Sequence, residues 1–162
     1  MDEKYILNTI NQHIKQDINM HTCRRLVVTV PLFKGFPIML INTIIFALKQ
    51  EVFIPDQEVI KRGHRIDKMY FIYYGTVAFT DELGNEVQYL NDGAHFGEEA
   101  LLRPNEPATT TVTALEISEI YTLSNAEFTA CVELYPHIQE RLSENQRRSL
   151  GRIFPGRRQT NS

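Results

Sequence analysis

The chain has 162 residues, 43% of them apolar and 23% charged, with a formal net charge of −3. That length is one domain's worth and can bury a real core, and the composition is that of a folded globular protein, which sets aside a wholly disordered chain. The charge is uneven: Arg147, Arg148, Arg152, Arg157 and Arg158 all follow residue 144, leaving 12 Lys and Arg against 20 Asp and Glu before it. An acidic body argues against a nucleic-acid-binding face on the fold, and the basic end is expected to be a solvated helix end and frayed tail.

Asp2 to Asn19 carries Ile6, Leu7, Ile10, Ile14 and Ile18 at helical spacing. Cys23, Leu26, Val27 and Val30 repeat at i, i+3, i+4 and i+7, and Pro31 is expected to end that helix. Pro37 then stands where a first helical residue would, ahead of an apolar face made by Ile41, Ile44, Ile45 and Leu48. The apolar run from Pro37 to Leu48 is 12 residues long and holds Asn42 and Thr43, well short of the roughly 20 residues that cross a bilayer. Met1-Asp2-Glu3 is acidic where a secretory signal is basic, and Cys23 and Cys131, both in apolar helical patterns, fit a reduced, cytosolic setting.

From Glu51 the period changes from 3.6 to 2. Short strands are expected at 51–54, 59–61, 68–74, 76–80, 87–90, 108–114 and 118–123, separated by Pro55-Asp56, Gly63, Gly75, Gly84-Asn85 and Asp92-Gly93. Strands this short with no long helices between them point to an antiparallel roll or jelly roll of about eight strands, flanked by helices in front and a helix pair behind. Ser124 with Glu127 three residues on is a capping box that opens a helix through Phe128, Cys131 and Val132. Pro136 opens a last helix with Ile138 and Leu142, fading after Phe154-Pro155-Gly156.

Catalytic patterns are not legible. The histidines His13, His21, His64, His95 and His137 have no metal-ligand spacing, there is no Cys-x-x-Cys, and neither a Gly-x-Ser-x-Gly nor a P-loop lysine occurs. A binding module, without metal or cofactor, is the better expectation. Its candidate site is Phe96-Gly97-Glu98 followed by Ala100, Leu101 and Leu102. Glycine lets a bound group approach the backbone, the first amides of a short helix are free donors for an anion, and Glu98 suits a neighbouring hydroxyl.

The order of helices, short strands, Phe96-Gly97-Glu98 turn, strand, capped helix and long helix resembles the cyclic-nucleotide-binding domain family, closest to the hyperpolarisation-activated cyclic-nucleotide-gated (HCN) channels. Val59-Ile60-x-x-Gly63 with Met69-Tyr70-Phe71-Ile72-x-x-Gly75 is similar to the family's first signature, and Phe96-Gly97-Glu98 with Leu101-Leu102 to its phosphate-binding cassette. Asp2-Glu3, Ile6-Leu7 and Cys23-Arg24-Arg25-Leu26-Val27, leading to Val30-Pro31-Leu32-Phe33, resemble the end of the C-linker entering that domain. The resemblance implies C-linker-like helices over 1–22, the binding domain over 23–153 and a basic disordered tail over 154–162.

It also implies a site that binds cAMP or cGMP, with cAMP favoured. Glu98 would take the ribose 2′-hydroxyl, Gly97 and the amides after it the cyclic phosphate, and Ala100 and Thr109 the ligand's near side. Phe79 and Leu90 would line the base, and Arg152 would cover it. Two positions depart from the family's pattern: Ala108 stands where the cassette arginine should be, and Ser149 where a second lid arginine should be. Losing a charge-assisted contact to phosphate is worth roughly 1.5–3 kcal/mol, or about ten- to a hundredfold in affinity. Arg103, on a loop bounded by Pro104 and Pro107, is expected to be solvated rather than to replace it.

The implied partners are the cyclic nucleotide, a channel's transmembrane region outside this chain, and three further copies in a tetramer formed through the C-linker, on the cytoplasmic face of a membrane. A homology domain that has lost its ligand and serves channel assembly is the alternative. A DNA-binding regulator built on the same roll would need a helix-turn-helix after the last helix, so DNA is not an expected partner.

Overall fold

The computed structural model describes residues 20–160, with side chains described to 148. The expected stripe from Ile6 to Ile18, most of the 1–22 segment, and the side chains of Ser149, Arg152 and the basic tail lie outside the described residues. Helix α1 covers 20–27 and is followed by a 3-10 turn at Pro31–Phe33. Pro31 therefore opens a turn, with three residues between it and the helix, rather than stopping the helix directly. The apolar spacing nonetheless holds, since Cys23, Leu26, Val27 and Val30 are all buried.

Helix α2, Ile38–Ala47, has Pro37 as its N-cap and buries Leu40, Ile41, Ile44 and Ile45. Ten strands follow: β1 (Lys49–Phe53), β2 (Glu58–Ile60), β3 (Arg65–Ile66), β4 (Lys68–Tyr74), β5 (Thr76–Thr80), β6 (Glu86–Asn91), β7 (His95–Phe96), β8 (Glu106–Pro107), β9 (Thr111–Ala114) and β10 (Ser118–Ser124). A four-residue helix α3, Glu99–Leu102, interrupts them after β7, and α4 (Asn125–Val132) and α5 (Pro136–Thr160) close the described chain. The fold is a mainly antiparallel β-roll with helices at both ends, as expected. Its extra strands, β3, β7 and β8, are two residues each, too short for any alternation to register. The α5 backbone runs on through Phe154-Pro155-Gly156, where the sequence predicts it to fade.

Two sheets, ordered β1-β10-β4-β7 and β2-β9-β5-β6, face each other, and β3 pairs with β8 as a separate ribbon. Every described pairing is antiparallel. Strand β4 shows how one period-2 segment serves two cores. Tyr70 and Ile72 point into the roll with Phe53, Val77, Phe96, Val112, Ala114 and Ile120. Met69 and Phe71 point the other way, into the helices. In that helical core the rings of Phe33 and Phe36 lie 5.3 Å apart and those of Phe33 and Phe128 5.7 Å apart. Burying each such ring or aliphatic side chain stabilises the fold by roughly 1.5–3 kcal/mol. Ile138 and Leu142 dock α5 on this core, and the Arg141 guanidinium sits 5.2 Å from the centre of the Phe36 ring.

Candidate functional site

The site begins at the turn between β7 and α3. Gly97 has φ +80°, a conformation that side-chain-bearing residues rarely adopt, and a Cβ there would lie 3.0 Å from the Lys68 carbonyl oxygen and 3.4 Å from the Tyr70 ring. Glycine is needed because the turn is pressed onto β4, which presents α3 at the mouth of the roll. The α3 carbonyls are tied down from α4: Asn125 Nδ2 donates to both Ala100 O and Leu101 O at 3.1 Å. Leu101 is buried in the helical core and α3 packs on α4, α5 and β4, so a displacement of α3 is felt by the last helix.

A cleft of about 290 Å³ opens between α3 and the β3–β8 ribbon. Ala100 and Thr109 line it, as do Ile66, Glu99, Arg103 and Glu106. Its volume is at the lower end of small-molecule sites. Ala100 is almost wholly buried and small, so the α3 wall is flat. Register brings the far wall in: Ile66 pairs with Glu106 and Arg65 with Pro107, and the ladder continues as Gly63 N donates to Ala108 O and Ala108 N to His64 O, both at 2.8 Å. Those bonds hold Ala108 buried, with Thr109 emerging exposed beyond it.

The predicted site residues divide. Ala100 and Thr109 meet in the cleft; Gly97, Glu98, Phe79, Leu90 and Ala108 are not on its lining. Glu98 is the N-cap of α3, its side chain makes no capping bond, and its Oε2 lies 3.1 Å from His95 Nδ1. That approach lacks the alignment of a hydrogen bond, leaving a close polar contact at the half-exposed rim. Phe79 meets Phe96 edge-on at 5.4 Å, Phe96 stacks on Tyr70 at 4.9 Å, and Leu90 packs against the same cluster. The interior of the roll beside β5 and β6 is thus filled by its own side chains. With only four residues, and Glu99 in its first turn, α3 offers a weak dipole for an anion.

Three contributors were not legible as such. Arg103 is held in the cleft rather than solvated, its side chain 18% exposed. Asn125 anchors α3 through a contact 24–25 residues away in sequence. His95 sits beside Glu98 because β7, a two-residue strand, pairs it with Phe71. A Glu98 three residues after His95 is a signal available in the sequence; the other two have none. Among the described residues no cluster of three or more His, Cys, Asp or Glu is arranged to hold a metal, and no helix is long and apolar enough to cross a membrane.

The family model for the cyclic nucleotide-binding domain matches residues 50–135, more than half of the chain. The chain belongs to the cyclic nucleotide-binding domain family. This cyclic nucleotide-binding domain is 35% identical over 135 residues to the potassium/sodium hyperpolarization-activated cyclic nucleotide-gated channel 1 of Homo sapiens, and 36% identical over 135 residues to channel 2 of Mus musculus. Each alignment covers 83% of this chain but 15% of the relative, so the chain spans a small part of their length. Among solved structures, a cyclic nucleotide-binding-like protein from Brucella abortus bv. 1 str. 9-941 is similar with a TM-score of 0.63 and 26% identity, covering 68% of this chain and 97% of that one.

Proposed function

We propose that the chain is the cyclic-nucleotide-responsive regulatory domain of an HCN-type cation channel, with cAMP preferred to cGMP. The observation that carries this reading is the open cleft where Ala100 on α3 and Thr109 beyond β8 face one ligand-sized space. In it the ligand rests against Ala100 and Thr109. The Gly97 turn and α3 amides lie toward the cyclic phosphate, and Glu98 at the rim takes the ribose 2′-hydroxyl. Phe79 and Leu90 support the base side from within the roll, and Arg152 and Ser149, whose side chains lie outside the described residues, are the lid positions that the family resemblance implies.

Because α3 packs on α5, ligand held against α3 favours one position of the last helix. The effect on a channel equals the ligand's differential affinity for the two positions of α5, and no more. The transmembrane region and a tetramer formed through the C-linker-like segment complete this reading, with the domain on the cytoplasmic face of the membrane. Calorimetric titration with cAMP and cGMP tests it. Saturable heat with cAMP is expected; no heat and no thermal shift at about 1 mM, a limit of about 4 kcal/mol of binding free energy, ends the sensor reading.

One feature favours the second reading, a homology domain without ligand that serves assembly. Ala108 is buried where the family's arginine is expected, and Glu99 and Glu106 set two carboxylates on the cleft. The same titration decides between them.

A further inference from the structure

The sequence places Arg103 on a surface loop, yet its side chain is mostly buried, and its Nε is enclosed with no hydrogen-bond partner. Backbone geometry holds it there. Arg103 is the C-cap of α3, its N–H donating to Glu99 O at 2.7 Å, and Asn105, at φ +67°, turns the chain back so that its own N–H donates to Ile66 O at 2.9 Å. The side chain is thereby laid along the cleft between Ala100 and the β3–β8 ribbon, as the one cation on its lining among the described residues. The nearest carboxylate oxygen, Glu106 Oε1, stands 3.9 Å from Nε, beyond hydrogen-bond reach, on a side chain that is half exposed. An attraction at that distance, screened by water, is weak.

We infer that Arg103 is the cation that receives the ligand's phosphate, and that Glu106 is its internal competitor. The inference rests on the proposed cyclic-nucleotide reading. An enclosed guanidinium N–H without an acceptor is a cost that a phosphate oxygen removes, and charge-assisted bonds to phosphate are among the strong ones. Without Arg103, an anion in this cleft meets Glu99 and Glu106 with no other cationic side chain among the described lining residues to offset them. With it, the phosphate takes the place that Glu106 fills poorly, and Glu106 turns toward water. The missing cassette arginine at Ala108 is answered from five residues upstream, at the end of α3, so phosphate contact and α3 position are joined in one side chain.

The test uses the whole chain as wild type, Arg103→Gln, Arg103→Lys and Glu106→Gln, titrated with cAMP and separately with inorganic phosphate. The Arg103 Nε–H resonance is followed by NMR. Arg103→Gln is expected to weaken cAMP about ten- to a hundredfold. Glu106→Gln is expected to tighten it about two- to fivefold. The Nε–H signal should move with cAMP and with phosphate but not with adenosine. If Arg103→Gln binds cAMP like wild type, the inference fails while the cyclic-nucleotide reading stands. If wild type ignores cAMP but phosphate moves the Arg103 signal, the inference stands and that reading falls. If neither ligand moves the signal, the inference is overturned. Should Arg103→Gln not fold, Arg103→Lys, which keeps the charge but lacks Nε, is expected to weaken cAMP about tenfold, and wild-type affinity there also overturns it.

Discussion

Three glycines with left-handed backbone form a graded test of how tightly the roll is closed. Gly93, at φ +87°, has nothing within 4 Å of a built Cβ; at Gly97 that atom lies 3.0 Å from the Lys68 carbonyl; at Gly75, with φ +119°, it lies 2.1 Å from Ser118 Oγ and 2.7 Å from Ser118 Cα. Gly93→Ala pays only for the left-handed conformation, about 1–2 kcal/mol. Gly97→Ala adds a close contact with a β4 carbonyl that cannot shift without disturbing the Lys68–Ser124 pairing, for a total of about 2–3 kcal/mol. Gly75→Ala overlaps backbone and is expected to exceed about 4 kcal/mol or to prevent folding. For a chain of this size 1 kcal/mol moves Tm by about 2–4 °C, so Gly93→Ala loses about 2–8 °C and Gly97→Ala about 4–12 °C. Calorimetric melts give the order. Adding Ser118→Gly to Gly75→Ala removes Oγ and Cβ but leaves Cα at 2.7 Å, so recovery is partial. Equal melting temperatures for Gly75→Ala and Gly93→Ala would refute the close packing of the β4–β5 turn against Ser118 at the start of β10.

Asn125→Ala removes both anchors of the α3 carbonyls; it is expected to cost about 1–2 kcal/mol in urea unfolding and to speed amide exchange in α3. Ser124→Ala deletes the acceptor for the Glu127 N–H, 3.1 Å away, and should cost about 1 kcal/mol without changing nucleotide titrations. Burial pushes the Cys23 thiol from 9.0 to about 11, against a smaller opposite pull from its hydrogen bond to Tyr121, and burial pushes Tyr70 and Tyr121 from 10.0 to about 12. The unfolded chain then sheds these protons first, from pH 9 upward, and the native state holds them until pH 11–12. Stability is therefore fully present below about pH 9 and falls as pH rises, which melts at pH 8 and 10.5 should show. Cys23 and Cys131 are both buried free thiols, so labelling by a thiol reagent at pH 8 should follow unfolding; rapid labelling of the native protein would contradict their burial.

The turn that leads into the cleft was readable because its signals are local. Glycine at 97, a glutamate after it and small Ala100 are three neighbours in one turn, and the turn forms as read. Strands β4 and β5 have the expected bounds, Lys68–Tyr74 and Thr76–Thr80, because each shows apolar periodicity over at least five residues between turn signals. The expected strand over 108–114 shortens to Thr111–Ala114, since Ala108 is spent on bonds to Gly63 and His64. Arg103 misled for the opposite reason. Followed by Pro104 and Asn105 it has the composition of a solvated loop, and it is the Asn105–Ile66 contact and the β3–β8 pairing after it that fold that loop back over the cleft.

The sequence alone determined the β-roll with its end helices, the Ser124 cap, the Gly97 turn and the kinship with cyclic nucleotide-binding domains, because each is carried by periodicity, propensity or a motif within about a dozen residues. Tertiary structure decided what shares the cleft. Ile66 faces Glu106 across a two-residue ribbon, Asn125 reaches α3 from the next helix, and Phe79 meets Phe96 inside the roll. Contacts between segments that far apart along the chain are set by strand register and by which face of a sheet is buried, and no local pattern encodes the partner.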